Sequence, residues 1–432
     1  MTQHTFVNRQ AFHLSPDSAR VVVRPFKPVT EPRNFNSTDP TRANHIVDRV
    51  LALDAATVGA QLADVLENFR GRHRNLLDIF EARADEMGVV FSAQPSFTQD
   101  QRHLIGAYFL HEYSFEAAAL FNPSIVSHPD QSDAPPGGRR FILSLRAVGE
   151  GHISSLTFRS GVVRADGSVS VDPPARLASI PQVRPPLDPH ADRAEVTFRP
   201  EVELSERVIF PVLASQSNGI EDARFVEFEE AGVKRYYATY TAYTGRAIRS
   251  ELLETRDFVT FRMSALNGTA TSNKGMALFP RKIAGKYAMI ARQDNENLYL
   301  LYSDDLYTWN GGEVLLKPRF PWEFVQIGNC GSPIELDEGW LLLTHGVGPV
   351  RRYSIGAVLL DKADPSRVLA RSSEPLVRPE GTEREGYVPN VVYTCGGMRF
   401  NERVILPYAV SDTFSTVATM KIAALLDSLV AC

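Results

Sequence analysis

The sequence predicts an all-β fold, a five-bladed β-propeller that follows a mainly α-helical N-terminal extension. From residue 122 onward the chain consists of short β runs separated by turn residues. Five segments there repeat one unit, in which a signature turn precedes an aromatic-rich strand and a second strand that ends in a polar turn. Repeats that each hold several strands indicate a propeller rather than a solenoid. Before residue 120, apolar residues recur at helical spacing instead.

The N-terminal extension covers residues 1–120, and its role is predicted to be packing or oligomerisation. An extended stretch at 21–26 comes first, and helical periodicity follows from about residue 41 to 87 and again from about 99 to 120. Asp54 stands where an N-cap side chain would accept a hydrogen bond from a free backbone amide at a helix start. We expect no chemistry here, because the motifs described below all lie after residue 120.

Residues 121–432 are predicted to form the propeller and to carry the functional site. The central strands of the five repeats are predicted at 141–148, 236–243, 286–293, 339–347 and 403–410. A propeller brings its inner strands around one funnel, and a charged residue in a buried strand is costly unless it is paired or functional. Each repeat has one such residue in or beside its inner strand, and together they predict a shared site: Arg146, Asp222, Arg292, His345 and Asp412.

Composition excludes several classes of partner. The formal net charge is −5 and 22% of residues are charged, so we expect no binding to nucleic acid or to an anionic membrane. The polar N-terminus lacks the apolar core of a signal peptide, and no apolar run is long enough to span a bilayer. Cys330, Cys395 and Cys432 are too few and too far apart for a disulfide framework or a metal cluster. We therefore expect a soluble cytoplasmic protein without a metal site.

A set of short motifs, in order from 122 to 413, resembles glycoside hydrolase family 130, the β-mannoside phosphorylases and related β-mannosidases. The motifs include FNPS at 121–124, LRAVG at 145–149, GIEDAR at 219–224, GSPI at 331–334, HGV at 345–347 and VPNVV at 388–392. The resemblance implies a five-bladed propeller and an inverting phosphorolysis that releases mannose 1-phosphate. It implies no cofactor, with inorganic phosphate as the co-substrate.

The resemblance also implies roles for individual residues. Asp222 corresponds to the general acid, which acts in the family through a sugar hydroxyl, and Ala223 replaces the proline that follows it there. We expect burial and a neighbouring carboxylate, Glu221, to keep the acid protonated near neutral pH. The structural alternative is that Asp222 pairs with Arg224 to form a turn. The implied sugar-binding residues are Asn122, Arg146, His152, Glu221, Arg224 and Asp412.

The choice between phosphate and water as the nucleophile depends on the cationic residues. The implied phosphate-binding set is Lys274, Arg292, Gln326, His345 and Tyr353. Lys274 stands where the family has an Arg-Asn pair, and Gln326 replaces a family lysine, so the site keeps part of the family's positive charge. Cationic and imidazole groups of this kind suit a phosphate oxyanion.

The sequence therefore predicts a β-mannoside phosphorylase that acts on an oligosaccharide and self-associates through its N-terminal helices. An inverting β-mannoside hydrolase is the first alternative, and its base, about 6.5–9.5 Å from the acid, would be Glu150, Glu227 or Glu323. A sugar-binding propeller without catalysis is the second. The three tryptophans are candidates for stacking on sugar rings, although the third has a sequence context typical of a core: Trp309, Trp322 and Trp340.

Overall fold

A computed structural model describes residues 4–26, 42–88, 97–184 and 192–432. None of the helices within these ranges is long and apolar enough to cross a lipid bilayer. The chain divides into two compact units. The β unit comprises Met1–Ser18, Phe115–Ala175 and Ile180–Cys432, and the helical unit comprises Ala19–Ser114 and Arg176–Ser179.

The described residues of the helical unit form four α-helices: Arg42–Leu51, Ala55–Asn68, Leu76–Gly88 and Gln99–Tyr108. The N-cap prediction is confirmed, because the Asp54 carboxylate accepts a hydrogen bond from the backbone N–H of Thr57 at 2.7 Å. The prediction of a helix over 99–120 is wrong beyond Tyr108. The chain there enters the strand Leu110–Ser114, which pairs antiparallel with Val21–Pro25. Ladder hydrogen bonds with a distant strand override the local helical spacing.

The helices pack around their own small core. Its buried members are Val47, Val50, Val58, Met87, Leu104, Ile105 and Phe109. A side chain at Gly106 would place its Cβ 1.9 Å from the backbone oxygen of Phe80. Glycine at this position therefore allows the helix Gln99–Tyr108 to lie close against the helix Leu76–Gly88.

The β unit is mostly β-structure with few helices, as the sequence predicts, and it contains four sheets. The sheet of 11 strands comprises Ala119–Ser127, Arg139–Val148, Ser154–Val163, Val169–Val171, Gln182–Val183, Arg193–Thr197, Val208–Ile209, Gly219–Glu230, Val233–Tyr243, Ile248–Thr255 and Thr260–Ala265. Its two antiparallel halves meet at a single parallel pair, Gly219 with Ser154.

The other three sheets follow in chain order, and none of the four closes on itself within the described residues. The sheet of four strands comprises Ala277–Leu278, Tyr287–Ala291, Leu298–Ser303 and Glu313–Leu316. The sheet of six strands comprises Gln326–Asn329, Ile334–Glu335, Trp340–Val347, Tyr353–Leu360, Val368–Arg371 and Val430–Ala431. The sheet of five strands comprises Val7–Arg9, Val392–Tyr393, Met398–Phe400, Arg403–Val410 and Phe414–Lys421. A short α-helix, Ile422–Asp427, follows the last of these.

The N-terminal residues do not all belong with the helices. Val7–Arg9 pairs antiparallel with Phe414–Lys421, so the first strand of the chain joins the last sheet. The division predicted from the sequence, 1–120 and 121–432, assigns this strand to the helical extension. A three-residue strand is too short to show a period-2 pattern in the sequence. The strand that fixes its position lies about 400 residues away, so the sequence near residue 7 gives no sign of the pairing.

Successive sheets share hydrophobic cores. One cluster joins Tyr237 of the 11-stranded sheet to Met289 of the four-stranded sheet, and another joins Ile290 to Leu342 of the six-stranded sheet. The six-stranded and five-stranded sheets meet in a third cluster that contains Leu343 and Leu406. A fourth, smaller cluster joins the five-stranded sheet back to the first strands of the 11-stranded sheet, through Ala409 and Phe121. The sheets are thus packed face to face, each with the next.

Candidate active site

Three of the predicted polar residues have an unusual backbone conformation that directs their side chains. Asn122, Asp222 and Asp412 have φ values of 49°, 53° and 50°. The strand register shifts between residues 121 and 124 and between 221 and 224, so Asn122 and Asp222 each lie at a β-bulge. Asp412 lies in the hairpin loop that follows the strand Arg403–Val410. Asparagine and aspartate tolerate left-handed backbone better than other non-glycine residues, and bulges re-aim side chains beside active sites.

Asp222 lies at the centre of a buried cluster of polar side chains. The Nδ2 of Asn122 donates to its Oδ1 at 2.6 Å, and Nη1 of Arg146 lies 3.5 Å from the same oxygen. Arg146 also donates from Nη2 to Glu221 at 2.7 Å and from Nε to the hydroxyl of Ser154 at 2.9 Å. The residues carried by distant strands, 122, 146 and 221–222, therefore meet as the sequence predicts.

The charge state of Asp222 differs from the expectation. Burial favours its neutral form, but the positive charges of Arg146, Arg224 and Lys274 outweigh burial and lower the pKa of its carboxyl. The neighbour expected to raise this pKa, Glu221, is instead paired with Arg146. In the ligand-free protein Asp222 is therefore ionised at neutral pH.

The carboxyl that titrates near neutral pH is Asp412. Burial and the negative charge of Asp222 raise its pKa to about 6, against the opposing charges of Arg146 and Arg351. Asp222 and Asp412 thus lie near the same arginine, Arg146, and their pKa values are displaced in opposite directions. Such divergence is typical of functional sites.

Arg224 acts on the Asp222 carboxylate through its charge, but its hydrogen bond is to the backbone at the bulge. Its Nη1 donates to the backbone oxygen of Asp222 at 2.9 Å, and its Nη2 donates to the hydroxyl of Tyr393 at 2.8 Å. The structural alternative, a side-chain pair between Asp222 and Arg224, is therefore not the arrangement observed. The carboxylate of Asp222 remains directed toward Asn122 and Arg146.

A second cluster contains the predicted phosphate-binding residues. Nη1 of Arg292 lies 3.2 Å from Nε2 of His345, and the Gln326 amide lies 3.4 Å from the same nitrogen. With its amide group rotated, Gln326 accepts from Arg292 Nη1 at 2.5 Å and donates to the Asn295 backbone oxygen at 3.3 Å. Tyr353 stacks on the His345 ring with a centroid distance of 5.8 Å.

Burial, with the nearby charges of Arg292 and Arg224, lowers the pKa of His345 well below its usual value. The imidazole is therefore neutral at pH 7 and keeps one donor and one acceptor nitrogen. Its position depends on Gly328, which lies opposite it in the paired strand. A Cβ at Gly328 would lie 2.3 Å from the Cε1 of the imidazole, so no other residue fits there without displacing the ring.

The two clusters belong to one electrostatic site. The ammonium group of Lys274 acts on the pKa of Asp222, and the carboxylate of Asp222 acts on the pKa of His345. Gly275, the residue after Lys274, has a φ of 94° and would place a Cβ 3.7 Å from the Cβ of Arg292. A cationic region thus lies beside the carboxylates within the β unit.

His152 and Tyr387 form an exposed aromatic pair. The His152 ring stacks on Tyr387 at a centroid distance of 5.8 Å, and the Tyr387 hydroxyl lies 3.2 Å from His152 Nδ1. Tyr387 was not predicted, and neither was Tyr393, whose ring packs edge-on against His345. Tyr387 directly precedes the VPNVV motif at 388–392 and Tyr393 directly follows it, so their proximity to that motif was the available signal.

Two of the three candidate bases for hydrolysis form ion pairs, and the third is on an exposed turn. The carboxylate of Glu323 is buried and pairs with Arg371, and that of Glu227 pairs with Lys234 at 2.5 Å. Glu150 begins an exposed 3₁₀ turn, Glu150–His152. The proposal that tryptophans stack on sugars is wrong, because all three side chains are buried and donate to backbone oxygens: Trp309, Trp322 and Trp340. In the described ranges, no three histidine, cysteine, aspartate or glutamate side chains are grouped for a metal ion.

Comparison with known proteins shows the family of the chain. A family model described as beta-1,4-mannooligosaccharide phosphorylase (glycoside hydrolase family 130) matches residues 197–430. A 1,2-beta-oligomannan phosphorylase from Thermoanaerobacter sp. (strain X514) is 34% identical over 250 residues, which cover 54% of this chain and 82% of the relative. A beta-1,2-mannobiose phosphorylase from Listeria innocua is 32% identical over 229 residues, which cover 51% of this chain and 63% of the relative.

The fold of the chain is also similar to that of a solved structure. The solved structure of beta-1,2-mannobiose phosphorylase from Listeria innocua, in complex with beta-1,2-mannobiose, superposes with a TM-score of 0.51 and 22% identity. The superposition covers 73% of this chain and 92% of that structure. At this level of identity the likeness concerns the fold.

Proposed function

The chain belongs to glycoside hydrolase family 130, and from that membership we propose that it cleaves β-mannosides with inorganic phosphate, with inversion, to give mannose 1-phosphate. The observation that carries the proposal is the placement of the Arg292–His345 cluster in the same electrostatic site as Asp222. The relatives compared above are named as phosphorylases. Their names specify β-1,2 linkages, whereas the family description specifies β-1,4, so both linkages are test substrates.

We propose that Asp222 is the general acid. A proton passes from its carboxyl through a sugar hydroxyl to the glycosidic oxygen as the bond from that oxygen to C1 breaks. A phosphate oxygen attacks C1 from the opposite side, so the products are mannose 1-phosphate and the shortened sugar. Because the pKa of Asp222 is lowered in the ligand-free protein, substrate binding must raise it before the acid can act.

Phosphate would bind beside Arg292, Lys274 and His345. Charge-assisted hydrogen bonds from a guanidinium are short and strong, and the neutral imidazole adds a donor without a second buried charge. No cofactor is required, because phosphate supplies the nucleophile and Asp222 supplies the proton. Asn122, Arg146 and Asp412 would bind the sugar, with the exposed pair of His152 and Tyr387 at the entrance.

Two of the three candidate bases for hydrolysis form ion pairs with basic residues outside the Asp222 cluster. Glu323 is bound by Arg371 and by the backbone N–H of Arg319, and Glu227 is bound by Lys234. An inverting hydrolase needs a free carboxylate to activate water. These pairings favour phosphate as the acceptor of the mannosyl group.

We propose the five-bladed propeller as the architecture of the β unit. The series of shared hydrophobic clusters supports this architecture. The clusters connect the 11-stranded sheet to the other three sheets in turn, and the last cluster returns to Phe121 of the 11-stranded sheet. The 11-stranded sheet would supply two blades, separated at the pair of Gly219 and Ser154. The remaining three sheets would supply one blade each.

We also propose a cytoplasmic homo-oligomer that assembles through the helical unit, with an oligosaccharide as its substrate and no nucleic-acid or membrane partner. A groove of about 870 Å³ on that unit supports self-association, because its lining is largely apolar and includes Val65, Phe69, Leu104 and Tyr108. The free thiols of Cys330, Cys395 and Cys432 are consistent with a reducing compartment.

The deciding experiment incubates the protein with β-1,2- and β-1,4-mannobiose while phosphate is varied from zero to saturation. Phosphorus NMR detects mannose 1-phosphate, and chromatography detects free mannose. We expect mannose 1-phosphate to form only when phosphate is present, with one free mannose released for each molecule of mannose 1-phosphate. Release of two mannoses at a rate independent of phosphate would identify a hydrolase and refute the proposal.

A further inference from the structure

The side-chain amide of Asn329 is buried and has no hydrogen-bond partner among the residues that the structure describes. Its side chain is 1% exposed, and neither its Oδ1 nor its Nδ2 has a hydrogen-bond partner among the described residues. A buried amide normally makes hydrogen bonds, because leaving it unpaired forfeits the hydrogen bonds it makes with water in the unfolded chain. A side chain retained at this cost requires a functional or structural reason.

Its surroundings point to an anion. Asn329 ends the strand Gln326–Asn329, next to Gly328, and its backbone is close enough to the His345 imidazole to act on its pKa. A Cβ added at Gly275 would be 3.8 Å from the Oδ1 of Asn329 and 3.7 Å from the Cβ of Arg292. The glycine therefore leaves space between the asparagine and the arginine.

The same region contains other buried polar atoms without partners. One is the Nε of Arg292, which like the Asn329 amide finds no hydrogen-bond partner within the described ranges. The guanidinium Nε–H and the amide Nδ2–H are donors only, and one is charged. Unpaired donors beside the charged guanidinium of Arg292 favour an oxyanion over a neutral sugar hydroxyl, because hydrogen bonds between ionised groups are the stronger ones.

We propose that Asn329 is a ligand of the inorganic phosphate co-substrate, an inference that rests on the proposed phosphorolysis. Its Nδ2–H donates to one phosphate oxygen, and its Oδ1 accepts from the hydroxyl of hydrogen phosphate. The residue thus adds a neutral hydrogen-bonding group to a site where Gln326 supplies no charge. It also selects for an anion that carries both acceptor oxygens and a hydroxyl.

The test measures phosphate binding directly, by isothermal titration calorimetry of inorganic phosphate into wild type, Asn329→Ala and Asn329→Asp. We expect the alanine variant to bind phosphate about 10-fold more weakly or worse, from the usual contribution of a hydrogen bond to a charged group. The isosteric aspartate should bind more weakly still, because a carboxylate repels phosphate. Asn297→Ala is the matched control, since Asn297 is partly buried, also has an unpaired Oδ1 and bonds to Asp294.

A purely structural role would show a different pattern. In steady-state phosphorolysis we expect KM for phosphate to rise about 10-fold in Asn329→Ala, while KM for mannobiose changes less than about threefold. Equal phosphate affinity in wild type and both Asn329 variants would overturn the proposal, as would equal changes in both KM values. If wild type binds phosphate but releases mannose without it, the proposed function fails while the calorimetry still decides the role of Asn329. Wild type that binds no phosphate refutes both.

Discussion

Replacement of Asp222 by asparagine tests the general acid most directly. The amide has nearly the same shape, and its oxygen can still accept from Asn122 Nδ2, which donates to the carboxylate at 2.6 Å. Arg146 keeps its pair with Glu221 at 2.7 Å, so it is not left as an uncompensated buried charge. We therefore expect the free energy of unfolding to fall by less than about 3 kcal/mol, the upper range for one hydrogen bond to a charged group.

The effect on turnover should be much larger than the effect on stability. Loss of general acid catalysis costs about 10²–10⁴-fold, or about 3–5.5 kcal/mol in activation free energy. A second consequence concerns Asp412. The charge of Asp222 raises the pKa of Asp412, so the pKa of Asp412 should fall below its present value of about 6 in the Asp222→Asn protein. The substitution thus alters both the acid and the titration of its neighbour.

The assay compares kcat for mannobiose phosphorolysis at saturating phosphate, after circular dichroism and thermal unfolding establish that the variant is folded. Glu227→Gln is the control, because this carboxylate lies on the same strand, Gly219–Glu230, and pairs with Lys234. We expect the control to retain nearly full activity. A folded Asp222→Asn protein with more than about a tenth of wild-type kcat would refute the assignment of the acid, since the loss would fall short of general acid catalysis.

Three further predictions follow from the charges and surfaces described above. Arg292→Ala should raise KM for phosphate at least about 10-fold more than KM for mannobiose, and equal changes in steady-state assays would contradict its placement at the phosphate. The pKa of Asp412 is raised from 3.8 to about 6 on folding, so the folded state binds more protons than the unfolded state and stability falls as pH rises through this window. Asp412→Asn should therefore flatten the decline of Tm between pH 4 and about 6, and an unchanged slope would show that another group causes it. Tyr108→Glu, in the groove of the helical unit, should lower the particle mass in light scattering, whereas Val233→Glu on the β unit should not; a wild-type monomer would end the oligomer proposal.

The site stores backbone strain that the surrounding fold must hold in place. Asn122, Asp222 and Asp412 each adopt left-handed backbone, which costs about 1–3 kcal/mol per residue in general and less for asparagine and aspartate. Two hydrogen bonds hold the second bulge: Arg224 donates to the backbone oxygen of Asp222, and the backbone N–H of Phe225 donates to the hydroxyl oxygen of Ser124. Each bulge changes the direction of its own side chain, and the Asn122 amide and the Asp222 carboxylate meet at 2.6 Å.

Local patterns in the sequence were sufficient for much of the fold. Asp54 was predicted as an N-cap because the preference is local. Each of the five predicted central strands overlaps an observed strand, because aromatic and β-branched runs between turns are a local signal. Asp222, Asn122 and Arg146 could be selected because short motifs resemble those of a known family, and the structure brings them together.

Only the tertiary structure decided the features that depend on distant neighbours. The helix ends at Tyr108 and Val7–Arg9 joins the last sheet because each strand finds its hydrogen-bonding partner far away in the chain. In the sequence, Asn329 is one polar residue in a short strand. Only the structure shows that its side-chain amide is buried and unpaired among the described residues, in the region of Arg292. The ionisation of Asp222 was predicted wrongly for the same reason: a pKa is set by the charges that surround a group in space, and sequence order does not fix those distances.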